Sequence, residues 1–376
     1  MKIIINVSSI FKGGAEQVAV SFINECKKFE MHSYDVVLCD NISSQLDINE
    51  FPNNFNFHIL PSRPGANFKS YLRTIRFLNN LEKKINPDVV IATGGHGYWK
   101  PKTPIVGGFN IPHYIYPESP YFTGMKFRKR LYWYFMRKIH LFFYKRLNAI
   151  IVQTDDVNER LKKVIGDKKS VYTVSNTVNG YFINSKEYPN KLRKKQKDEV
   201  YLLTLSSYYP HKNIEIIKKV IEVLKNIGRD EFVFVLTLPE DKYTKAFGDF
   251  ETNQIINIGP IPIAECPSLY RECDFMFLPT LLECYSASYA EAMIMQKPIL
   301  TSDLSFAHTV CKDAAEYFNP LDAQDISQTI MNLSSNKARQ KEMISRGLEI
   351  IRNTNTAAER AAEFLRICEA TVRKNK

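Results

Sequence analysis

Long apolar runs are absent from this 376-residue sequence. No stretch of about 18 or more hydrophobic residues occurs, so no membrane-spanning helix is expected. The opening residues MKIIINVSSIF lack the apolar stretch and small-residue cleavage site of a secretory leader, and they read as a first β-strand. Cysteine is unpatterned: seven fall at Cys26, Cys39, Cys266, Cys273, Cys284, Cys311 and Cys368, an odd number with no CxxC spacing. That argues against structural zinc and a disulfide framework, and for a reducing cytoplasm. No Gly-x-Gly-x-x-Gly occurs, which removes the dinucleotide fingerprint and disfavours a nucleotide-dependent oxidoreductase. Asp-x-Asp is missing too, and the adjacent Asp155-Asp156 reads as helix-start charge. No repeat of roughly 20–50 residues is visible, which argues against a solenoid.

Hydrophobic residues make up 44% of the chain, and its length suits two domains of about 150–200 residues. The net charge of +11 is unevenly spread. Residues 1–150 carry 20 Lys+Arg against 10 Asp+Glu, and the remainder carries 31 against 30, so nearly all the excess lies in the first half. An anionic partner is expected there: a membrane surface, a nucleic acid or a phosphorylated substrate.

Strand-like runs alternate with helical periodicity along the whole chain. Strands are expected at residues 2–7, 34–39, 88–92, 104–106, 113–116, 149–153 and 171–174, with helices over 15–29, 68–85 and 127–147. Residues 183–199 are polar and charged and read as a linker. The pattern then restarts, with strands at 200–205, 232–237, 255–258, 275–278 and 299–300. Helices are expected over 214–227, 264–272, 286–295, 323–334, 337–353 and 357–371. Strands separated by helices of about 10–15 residues specify parallel sheets. The chain is therefore expected to be α/β, with doubly wound domains at 1–182 and 200–355 and a last helix over 356–376. Ligands of such sheets bind beyond the carboxyl ends of the strands, so the turns after strands are the places to search.

Three such turns carry chemistry. After the first strand, Gly13 and Gly14 allow close backbone approach at a helix N-terminus, or make an ordinary tight turn. After the strand at 200–205, the run 206–213 contains Lys212, which can neutralise a diphosphate or be a solvated surface lysine. After the strand at 275–278, Glu283 precedes a helix and Glu291 lies inside it. The amides of Ser286 and Ala287 fall between the two carboxylates, where a helix N-terminus would hold a phosphate.

On these residues the sequence resembles the retaining glycosyltransferases of family 4, the group 1 transferases with the GT-B fold. Gly13-Gly14-Ala15-Glu16 is similar to the family's glycine loop, residues 174–179 to its segment before the linker, and Lys212-Asn213 to its Lys-Gly pair. Glu283 and Glu291 match its E-x7-E motif, and Lys297-Pro298, Asp303 and residues 314–320 continue the family's order. There are departures. Ser206-Ser207 stand where members usually carry Gly-Arg, and Cys284 and Ser286 replace the glycines between the two glutamates.

The resemblance implies two Rossmann-like doubly wound parallel-sheet domains facing a cleft, with the last helix crossing back to the N-terminal domain. It implies transfer of a sugar from a nucleotide-diphosphate donor to a glycan or lipid-linked glycan in surface polysaccharide or glycolipid synthesis, with retained anomeric configuration. No metal and no cofactor beyond the donor co-substrate are implied. Lys212, with the amides of Ser286 and Ala287 and with Gly13, Gly14 and Ser207, would face the donor's phosphates. Glu283 would position the sugar, Glu291 the ribose, and backbone near Ile261 the base. Acceptor-side candidates are Gly95, His96 and His113, and the residue at the reaction centre is either Glu118 or His113. An epimerase or phosphorylase on the same fold, or a non-catalytic membrane-associated subunit, are the competing readings.

Residues 124–147 hold eight Lys/Arg, no acid, and seven aromatics among Tyr132–Phe135 and Phe142–Tyr144. This suits an interfacial helix on an anionic membrane, peripheral on the inner face, or a cationic helix packed by its aromatics. No nucleic-acid motif accompanies it, so no nucleic acid partner is expected.

Overall fold

The computed structural model describes residues 1–10, 14–60 and 67–375. The chain divides into two compact units. One comprises Met1–Tyr116, Lys126–Asn176 and Asn355–Lys376; the other comprises Pro117–Met125 and Thr177–Thr354. Each is built on a parallel sheet.

In the first unit the strands are β1 (Lys2–Asn6), β2 (Ser33–Cys39), β3 (Phe55–Leu60), β4 (Val89–Ala92), β5 (Ile105–Gly108), β6 (Ala149–Val152) and β7 (Ser170–Thr173). They line up as β3-β2-β1-β4-β5-β6-β7. The inner strands are buried along nearly their whole length, as a sheet covered on both faces requires. Ile3, Ile5, Val36, Leu38, Val89 and Ile151 form one core with Phe22 and Ile23 of the Gly14–Glu25 helix. Phe364, Leu365 and Cys368 of the last helix, Ala357–Asn375, complete it, and Phe22 and Phe364 lie 5.3 Å apart.

The second unit holds β8 (Val200–Thr204), β9 (Phe232–Leu236), β10 (Ile255–Asn257), β11 (Phe275–Leu278), β12 (Ile299–Ser302) and β13 (Ala315–Phe318), ordered β10-β9-β8-β11-β12-β13. Leu202, Phe234, Phe277, Leu300 and Phe318 pack against Ile217, Val220, Ile221 and Leu224 of the Ile216–Asn226 helix, whose apolar residues recur at helical spacing. In both sheets the strand order reverses once, between β1 and β4 and between β8 and β11. Those are the two switch points at which α/β sheets hold ligands.

Several expectations change. Residues 113–116 form no strand: Pro112–Tyr114 is a single 3-10 turn opened by Pro112, with Tyr114 buried. β3 and β13, edge strands with mixed burial, were not expected. Residues 183–199 belong to the second unit. Leu192 is buried, the amides of Lys191 and Leu192 donate to Glu272, and Lys195 pairs with Asp274. Residues 117–125 also pack with the second unit rather than the first.

Candidate active site

At the second unit's switch point, the turns after β8 and β11 meet. After β8 the chain runs through Pro210–Lys212, a 3-10 turn closed by Asn213 in the left-handed conformation, where Asn is one of the tolerated residues. The Asn213 side-chain amide donates to the Pro320 carbonyl at 2.8 Å and fixes that turn. The His211 carbonyl accepts from the Leu281 amide at 2.7 Å, stitching the two turns together. Lys212 Nζ thereby reaches the Glu283 carboxylate, and both side chains are only about an eighth exposed, at 13% and 12%. The Thr280 hydroxyl lies 3.1 Å from both Glu283 Oε1 and the His211 carbonyl, so its one proton is shared between the carboxylate that Lys212 neutralises and the turn that carries Lys212.

Three residues past Glu283, Ser286 is the N-cap of the Ala287–Ile294 helix. Its side chain makes no cap hydrogen bond, so it does not occupy the first-turn amides. The helix is clamped on the sheet by Tyr289, whose hydroxyl meets Thr301 Oγ1 at 2.8 Å, and by Ser288 Oγ, which donates to the Leu205 carbonyl at 3.2 Å. Glu291, further along, is half-buried with Tyr270 hydroxyl 3.3 Å from its Oε2. Burial pushes its carboxyl up to about 7, opposed by the Tyr270 hydrogen bond and by the charge on Lys212. A cation, an uncapped helix terminus and two flanking carboxylates are thus gathered at one strand-end crevice. That combination can hold a diphosphate flanked by hydroxyl-rich groups.

Residues 12–179 match the family described as "Glycosyltransferase Family 4", and residues 184–349 match "Glycosyl transferases group 1". The chain belongs to this glycosyltransferase family. Among curated proteins it is 23% identical over 226 residues to the O-antigen chain mannosyltransferase RfbU of Salmonella typhimurium. That match spans 58% of this chain and 59% of the relative. Among solved structures, a glycosyltransferase from Rickettsia africae superposes with a TM-score of 0.73 at 15% identity, over 100% of this chain and 99% of that one. The sucrose-phosphate synthase of Thermosynechococcus elongatus gives 0.73 at 12% identity, over 98% of both chains. These likenesses carry the fold, two parallel-sheet units of the GT-B class.

In this family member the expected donor-side residues divide. Lys212, Glu283, Ser286, Ala287 and Glu291 gather as described. Ser207, where the family usually has Arg, is exposed and brings no cation. His211 does not replace it: burial, then the neighbouring Lys212, pushes its imidazole down to about 4, so the ring is neutral. Ile261 is half-buried just past β10, following Gly259, whose φ of 74° turns the chain. Gly13 lies outside the described residues, and Gly14 opens the Gly14–Glu25 helix of the first unit with open space where a Cβ would sit.

Glu118 is exposed on the segment that belongs to the second unit, not to the first as expected. Ser119, beside it, is buried and donates to the Leu281 carbonyl at 2.6 Å, two residues from Glu283. Tyr121 packs edge-on to His211 at 6.1 Å. The segment is therefore anchored on the loop that presents Glu283. Sequence reasoning missed Ser119 and Tyr270, whose partners lie 162 and 21 residues away, and Thr280, three residues from Glu283, because the aim of a hydroxyl is set by packing.

At the first unit's switch point, a Cβ on Gly94 would come within 2.3 Å of the Ile10 side chain, so the turns after β1 and β4 touch. Gly95 is buried there. His96 departs from the expected acceptor role, being 2% exposed and packed among Tyr98, Phe143 and Tyr144. Its Nδ1 accepts from the Tyr98 amide at 3.1 Å, and its Nε2 meets His140 Nδ1 at 2.9 Å. Both ring nitrogens are engaged, and burial, then His140, pushes its titration down to about 3. That is a core histidine. His113 is half-buried with its ring stacked on Trp133 at 4.0 Å.

Proposed function

We propose that the protein moves a sugar from a nucleotide-diphosphate donor to a glycan or lipid-linked glycan acceptor, with retention of anomeric configuration and without a metal. The observation that carries the reading is the meeting of Lys212 with Glu283 beside the N-terminus of the Ala287–Ile294 helix at the β8–β11 switch point. As the bond from the anomeric carbon to the diphosphate stretches, negative charge grows on the leaving phosphate and positive charge on the ring. Lys212 and the amides at Ser286 and Ala287 would stabilise the first, each preorganised donor being worth about 2.7–4 kcal/mol. Glu283, beside Thr280, would accept hydrogen bonds from the sugar's hydroxyls. Glu291 would take the ribose, and backbone near Ile261 the base. The acceptor oxygen would bond the anomeric carbon while its proton passes to the departing phosphate. Glu118, beside the anchored Ser119, would face the reacting sugar.

A role in surface polysaccharide synthesis follows from the name of the Salmonella relative, and mannose donors head the panel for the same reason. The seven cysteines are buried and form no disulfide among the described residues, which supports a reducing, cytoplasmic setting. The test is turnover of a panel of nucleotide sugars with candidate acceptors, followed by NMR of the product's anomeric configuration. One donor consumed and a product of the donor's own configuration are expected. An inverted product overturns retention, and an epimerised donor without transfer overturns the transferase reading.

A further inference from the structure

The Phe127–Tyr144 helix has two apolar faces. One is inward: His140, Leu141 and Tyr144 are buried, with Trp133 half-buried beside them. The other is outward. Phe127, Leu131, Tyr134, Phe135, Ile139 and Phe142 are all between 42% and 76% exposed. At 100° per residue these six share an arc of roughly 140°, centred on the side opposite the buried residues. Isolated exposed apolar residues need no explanation, whereas a contiguous patch does.

The charge on this face has one sign. Eight Lys/Arg lie within residues 124–147, and no Asp or Glu occurs from Ser119 to Thr154. Lys138 lies 5.5 Å from the Tyr134 ring and the Arg146 guanidinium 3.9 Å from that of Phe142, so cations and exposed rings interleave. Arg128, Lys129 and Arg130 crowd the helix's first turn, the end where the helix dipole disfavours positive charge. The neighbouring Asp155–Ile165 helix has the opposite order, acids first and lysines last. The order of charge along the Phe127–Tyr144 helix is therefore the reverse of what its own dipole favours.

We propose that this outward face docks the first unit on an anionic phospholipid surface, with the helix lying in the interface. Its apolar side chains would enter the boundary between headgroups and acyl chains while the lysines and arginines meet phosphates. Among the described residues no helix is long and apolar enough to cross a membrane, so the helix lies on the bilayer and does not span it. A second copy is a poorer occupant, because a two-fold contact would set the same positive patch against itself. Vesicle binding is read without turnover, so its outcome does not depend on the reading of the donor site.

The test is co-sedimentation of the full chain with vesicles of phosphatidylcholine alone or mixed with phosphatidylglycerol, at low and high salt. The wild type is expected to sediment with the mixed vesicles, less so as salt rises, and to stay in solution with phosphatidylcholine alone. A Leu131→Ser/Phe135→Ser/Phe142→Ser variant should lose binding while keeping its melting temperature, because those side chains are exposed. Arg128→Gln and Arg146→Gln should each weaken binding about fivefold. The proposal is overturned if the wild type ignores the mixed vesicles, or if both sets of variants bind as the wild type does. It is equally overturned if the wild type is a dimer that the serine variant dissolves and that binds no vesicle.

Discussion

Lys212 and Glu283 come from turns 71 residues apart in sequence, yet each is the other's closest charge partner at the switch point. Lys212→Ala removes a cation from the developing phosphate charge, and a fall in kcat of about 10²–10³ is expected, read by donor turnover at saturating acceptor. Glu291 gives a pH signature. Its carboxyl, raised to about 7 by burial, keeps in the folded protein a proton that the unfolded chain has already released above about 4.5. The stability from that protonated carboxyl is fully present below about pH 4.5 and is lost as pH rises through about 7. Glu291→Gln should therefore raise the melting temperature at pH 8 and leave it nearly unchanged at pH 4, as scanning calorimetry would read. The E-x7-E spacing made both glutamates legible in the sequence. Thr280 and Tyr270 were not legible, because a hydroxyl within 3.1 Å or 3.3 Å of a carboxylate is a product of packing, not of pattern.

Strands whose apolar runs are buried on both faces were among the most readable elements. β1, β2, β4 and β6 are central strands of that kind, and β8, β9 and β11 repeat it in the second sheet. The strands missed, β3 and β13, are edges buried at their two ends and only partly covered between them. The segment Pro117–Met125 was misassigned for a different reason: sequence proximity tied it to the first unit, whereas the Ser119 hydroxyl ties it to Leu281, 162 residues away. Ser119→Ala leaves that carbonyl without its buried donor. A loss of roughly 1–3 kcal/mol is expected, with a raised KM for donor because the Glu283 loop loses its anchor; urea unfolding and donor titration read the two effects. In the first unit, β5 ends on Gly108, where a Cβ would lie 2.2 Å from the Thr93 carbonyl oxygen. Gly108→Ala forces the backbone apart and should destabilise by about 1–3 kcal/mol or more, measurable by urea midpoint.

For the whole molecule, the uneven charge that composition revealed has a structural counterpart. The excess cations of residues 1–150 include the eight around the Phe127–Tyr144 helix, while the second unit, close to neutral, concentrates its chemistry in one crevice. Two parallel-sheet domains were legible because βαβ units impose their period on sequence, and the family because Lys212 and the Glu283–Glu291 spacing resemble its motifs. The donor, the acceptor and the function of Ser207 were not, because pocket shape is set by side chains from many turns. The most direct measurement is calorimetric binding of the nucleotide sugar that turns over, to wild type and to Lys212→Ala and Glu283→Gln proteins verified as folded. Micromolar to millimolar binding by the wild type, weakened at least tenfold in both variants, is the predicted result. Equal binding by all three proteins would contradict a donor site built on Lys212 and Glu283.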